Sequence, residues 1–157
     1  ELTIAARLLN AGLGTRAITA TIGGWDTHAG QLAMQAERLG ELDAGIEGFF
    51  QELRPEVAAQ TTMVVVSEFG RRAQVNGSNG TDHGAASHTL VIGEKVKGGL
   101  LGAYPSLTAL DSSGSLVPTV DFRSVYATVV ERWLRADAKA LVGPYEQLDL
   151  FRSTPGA

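Results

Sequence analysis

The chain has 157 residues, a formal net charge of −4 and no cysteine. Its acidic balance and the lack of any basic stripe argue against nucleic acid as a partner. Without cysteine there are no disulfides or thiolate metal ligands, and redox usage gives no compartment. No apolar run approaches the ~20 residues of a membrane helix, so no membrane span is expected.

The composition, 44% hydrophobic and 19% charged, is that of a globular protein. The length suits a single α/β domain over residues 1–157 with a sizeable core. Glycine is high, 19 of 157 residues, against an average near 7%. These glycines cluster between the patterned segments, as expected of a loop-rich face.

Leu2, Ala5, Ala6 and Leu9 fall at helical spacing and predict a helix over residues 1–11, with Gly12 and Gly14 available to end it. A start at Glu1 within that pattern, without Met or signal peptide, is expected of a fragment of a longer chain. Residues 16–22 are small, apolar and β-branched and predict a buried strand closed by Gly23-Gly24. From residue 29 to 54, Leu32, Ala36, Leu39, Leu42, Ile46, Phe49, Phe50 and Leu53 recur in steps of three and four. This is the strongest periodic signal in the chain and predicts a long helix broken at Pro55.

Residues 61–67 (TTMVVVS) form a continuous β-branched run, as expected of a strand covered on both faces. Strand, long helix and strand compose a βαβ crossover, which makes the two strands parallel. Residues 70–87 are punctuated by Asn76-Gly77, Asn79-Gly80 and Gly84 and predict a loop. Residues 88–92 predict a third strand, and residues 100–104 a hairpin partner after the Lys97-Gly98-Gly99 turn. Asp121 is placed to cap a helix through Leu134, and Leu148, Leu150 and Phe151 pack an irregular tail. The fold class expected is α/β: a parallel sheet core with helices on both faces and a C-terminal hairpin.

Three stretches carry chemistry. Gly23-Gly24-Trp25-Asp26-Thr27-His28 follows the first strand, Ser67-Glu68-Phe69-Gly70-Arg71 the second, and Gly80-Thr81-Asp82-His83-Gly84 lies in the glycine-rich loop. Ligands of parallel α/β sheets sit beyond the carboxyl ends of the strands, where these stretches fall. In extended backbone Asp26 and His28 point to the same side. Asp26, His28, Glu68 and His83 are therefore the candidate metal ligands. Mixed carboxylate and imidazole suits zinc or manganese better than calcium. Arg71 is a candidate fork for an anion, and Glu68 a candidate base. The bland readings make Asp26 a cap on the long helix, Asp82 a turn residue, Arg71 a structural ion pair, His88 a hydrogen-bonded histidine and Trp25 core at the rim.

The ordered motifs, with Val96-Lys97-Gly98-Gly99 and Val120-Asp121-Phe122-Arg123, resemble a bacterial family of unassigned function related to alkaline phosphatases and sulfatases. The resemblance implies the C-terminal part of an alkaline-phosphatase-like fold and a parent often exported by a twin-arginine signal. It implies a first metal held by Asp26, His28 and His83. Glu68 stands where the acid of a second pair would be, and Phe69 where its histidine would be. Phenylalanine binds no metal, so a full two-metal set is not implied. The nucleophile of the wider superfamily has no counterpart here and would lie in an N-terminal half. The expected activity is metal-dependent hydrolysis of small anionic phosphate or sulfate esters, with this chain alone inactive. The alternative is a catalytically silent binding or scaffolding domain of the cell envelope.

Overall fold

The computed structural model describes residues 1–152 as a mixed α/β chain. Its elements are α1 (Leu2–Asn10), α2 (Gln31–Glu52), α3 (Pro55–Ala58), β1 (Met63–Val65), β2 (Gly70–Val75), β3 (Thr81–Gly84), β4 (Leu90–Ile92), α4 (Phe122–Thr128), a π-helical turn (Val129–Trp133) and α5 (Ala138–Leu141).

The α1 and α2 helices form where the periodicity placed them, and Pro55 begins α3 at the position that needs no N–H. They meet at the main apolar cluster. Ala5 and Ala6 of α1 pack on Phe49 and Leu53, flanked by Leu2, Leu9, Phe50, Val57, Ala58 and Met63. Only the C-terminal part of α2 is covered this way. Leu32 is 88% exposed, and Met34 and Leu39 also face solvent.

The sheet differs from the expected one. The described residues form two two-stranded antiparallel sheets, β1–β4 and β2–β3, and no parallel core. Residues 16–22 are exposed and form no strand. Their composition suits a strand, but a strand needs a ladder partner and none pairs with them among the described residues; β1 pairs antiparallel with β4, Val64 opposite Val91. The third expected strand is β4. Residues 100–104 form no strand, so the C-terminal hairpin is absent among the described residues.

Residues 70–87, expected as loop, contain a hairpin instead. The β2 and β3 strands pair with Arg71 opposite His83 and Val75 opposite Thr81, with a register shift between. Their sequences are polar and largely exposed, so they lack the apolar alternation by which strands are read. The turn residues were visible; the strands flanking them were not.

Asp121 caps α4, its side chain accepting from the Arg123 backbone N–H. The tail is irregular and packs through buried Leu150 and through Phe151, which bridges to Val96 and stacks on Trp133 at 5.4 Å.

Candidate metal centre

The β2–β3 turn is docked on the start of α2, and this docking builds the site. Gly30, the N-cap of α2, has φ 55° and no side chain to cap with. Instead the carbonyls of Ser78 and Asn79 accept from the N–H groups of Gly30 and Gln31, both at 3.0 Å. Two of the unpaired donors that every helix start presents are thereby satisfied. Thr81 Oγ1 adds a 2.7 Å bond to the Gln31 side chain. Gly80 lies so close to the His28 backbone that any Cβ there would collide with it. The docking excludes the reading of Asp26 as the cap of the long helix.

Two side chains fasten the stretches together. Arg71 donates to the carbonyls of Thr81 and Trp25, both at 2.6 Å. Asn76 donates to the His28 carbonyl at 3.0 Å and to Asp82 Oδ1 at 3.2 Å, while its own oxygen accepts from Ser78 and Gly80. The loop after residue 22 and the hairpin thus share a backbone seam, with Thr27 buried along it.

Asp26, His28 and His83 converge beside that seam. His83 Nε2 lies 2.6 Å from Asp26 Oδ1, and His28 Nε2 lies 3.0 Å from the same oxygen. One ligand atom from each residue falls within 4.8 Å of the others. Because Arg71 and His83 are opposite each other on the hairpin, they share a face. Phe69 takes the same side: its ring stacks on His83 at 4.0 Å and 8°, with the Arg71 guanidinium 5.0 Å from its centroid. His28 Nδ1 faces Asp82 Oδ1 at 3.5 Å.

The electrostatics follow from these contacts. The His83 hydrogen bond is the main cause that holds the Asp26 carboxyl below the ordinary carboxylate value; desolvation opposes it next, and the proximity of His83 and His28 adds to the lowering. Asp82 is also lowered, first by the Asn76 amide and then by His28. The site is open: the side chains of Asp26, His28 and His83 are 66%, 47% and 45% exposed.

The cluster offers one carboxylate oxygen and two imidazole nitrogens, donors of the kind a divalent ion takes. Ligands of a tetrahedral ion at roughly 2.0–2.2 Å lie about 3.3–3.6 Å apart, so the two short contacts to Asp26 would need to open by about 1 Å or less. Of the residues expected from sequence, Asp26, His28 and His83 are brought together. Glu68 is exposed between β1 and β2 and does not join their ligand atoms. Arg71 spends two of its donors on backbone carbonyls. His88 is exposed. Asn76 and the His28-facing side of Asp82 went unread as site features; the doubled Asn-Gly signal marked a turn but not what it would clasp.

No helix among the described residues is long and apolar enough to cross a membrane. No curated protein and no solved structure matches the chain. A protein family does, over most of its length. The chain belongs to the family described as protein of unknown function (DUF1501), which it matches over residues 2–150.

Proposed function

We propose that this chain is the metal-binding, C-terminal portion of a hydrolase of phosphate or sulfate esters, within an alkaline-phosphatase-like domain completed by an N-terminal half. The observation that carries the reading is the convergence of Asp26, His28 and His83, 57 residues apart at the extremes, on one point. The order of the motifs supports the fold assignment.

Asp26, His28 and His83 would hold the ion, zinc or manganese by their chemistry. When bound there, the ion would supply Lewis acidity toward a phosphoryl or sulfuryl oxygen and toward a bound water. Arg71 fastens the metal-bearing loops and offers its remaining N–H groups to an anionic ester. Glu68, free on the β1–β2 connection, is the base or an added ligand. The nucleophile and any export signal belong to the rest of the parent protein.

The test is a calorimetric titration with zinc and with manganese, paired with elemental analysis. The wild type is expected to take up one ion, and Asp26→Ala to lose it. No uptake, or equal uptake by Asp26→Ala, overturns the reading.

A second reading, a catalytically silent binding domain of the cell envelope, is favoured by Phe69. It replaces a possible ligand by a ring stacked on His83. It expects metal uptake without turnover of aryl phosphate or aryl sulfate by the metal-loaded parent, whereas the hydrolase reading expects turnover.

A further inference from the structure

We infer that Asp82, aimed by Asn76, is the positioning residue that sets which nitrogen of His28 faces the metal. The inference rests on the metal reading above. The two ring nitrogens of His28 face two different carboxylates: Nε2 lies 3.0 Å from Asp26 Oδ1, and Nδ1 lies 3.5 Å from Asp82 Oδ1. A neutral imidazole has one N–H and one lone pair, so only one nitrogen can ligate. A ligating histidine almost always donates its other N–H to a carboxylate, carbonyl or water, which fixes ring and tautomer together.

Asp82 is the carboxylate on the far nitrogen. Its place relative to the ring is set by one side chain. The Asn76 amide donates both to Asp82 Oδ1 and to the carbonyl of His28 itself. Asn76 is fixed in turn, because its oxygen accepts from Ser78 and Gly80 at 3.0 Å each. Backbone of the ligand and acceptor of its ring proton therefore hang on the same amide. With its proton on Nδ1 toward Asp82, His28 would leave the Nε2 lone pair for an ion held with Asp26 and His83. Asp82 itself stays outside the ligand cluster.

Zinc titration of the wild type, Asp82→Ala, Asp82→Asn and Asp26→Ala tests this, with circular dichroism to confirm folding. Asp82→Ala is expected to weaken zinc affinity about 10–100-fold, the usual effect of losing such a partner. Asp82→Asn keeps an acceptor oxygen and is expected to lose less. Long-range ¹H–¹⁵N spectra of the zinc-loaded wild type should show His28 protonated at Nδ1 and metal-bound at Nε2; this readout stands if Asp82→Ala fails to fold. Unchanged affinity in Asp82→Ala overturns the inference, as does zinc on Nδ1. A loss as complete as that of Asp26→Ala makes Asp82 a ligand and also overturns it. If the wild type takes up no zinc, the metal reading itself falls and this inference with it; binding by the wild type separates the two failures.

Discussion

Arg71 holds two segments together through a single side chain. Its position just past Glu68 suggests an anion fork, and two of its donors end on the carbonyls of Trp25 and Thr81. The planar fork is what lets a single residue hold two carbonyls of different segments. Arg71→Ala is expected to lower stability by about 1–3 kcal/mol, as hydrogen bonds from a charged, partly exposed donor are lost. Arg71→Lys keeps the charge but cannot span both carbonyls, so it should recover only part of that loss; urea denaturation of the three proteins is the check. Asp26 and the two histidines are legible because each lies in a short motif punctuated by glycine. Asn76 is not, since its amide acts through contacts between residues 48 apart in the chain.

At the level of elements, the periodic helices and the apolar strands β1 and β4 are legible, and the polar strands β2 and β3 are not. The α1, α2 and α4 helices carry apolar periodicity over two or more turns, and Asp121 carries a cap that geometry honours. The β2 and β3 strands are polar and exposed, and their ladder is held by docking on the start of α2 rather than by a buried face. The α4 cap makes a pH prediction. The Arg123 side chain, then its backbone N–H, hold the Asp121 carboxyl below its ordinary value. A carboxyl depressed in the folded state stabilises it above the unfolded pKa of about 3.9 and loses that stabilisation as pH falls through the folded value. The wild type should therefore exceed Asp121→Asn in melting temperature at neutral pH, and the gap should close on acidification below about pH 4. A gap that stays constant to acid would show that the carboxylate charge contributes nothing.

Over the whole molecule the apolar cluster is concentrated where α1 crosses the end of α2. Phe49 lies at its centre, buried and edge-on to Phe50 at 5.1 Å. Phe49→Ala is expected to cost about 3–5 kcal/mol, a large part of the ~5–15 kcal/mol that holds a domain together. Thermal unfolding read by circular dichroism should show it, and a loss under 1 kcal/mol would mean that this cluster is not the centre of stability. The amino-acid sequence by itself determined α1, α2 and α4, the Asp121 cap, the turn residues and the three motifs that carry Asp26, His28, Glu68 and His83, because each depends on neighbours within a few positions. Tertiary structure alone decided that β1 pairs antiparallel with β4, that residues 16–22 stay unpaired, and that Arg71 and Asn76 clasp the hairpin to the loop bearing Asp26 and His28. Those outcomes turn on which backbone donor meets which distant acceptor, and no local pattern encodes that choice.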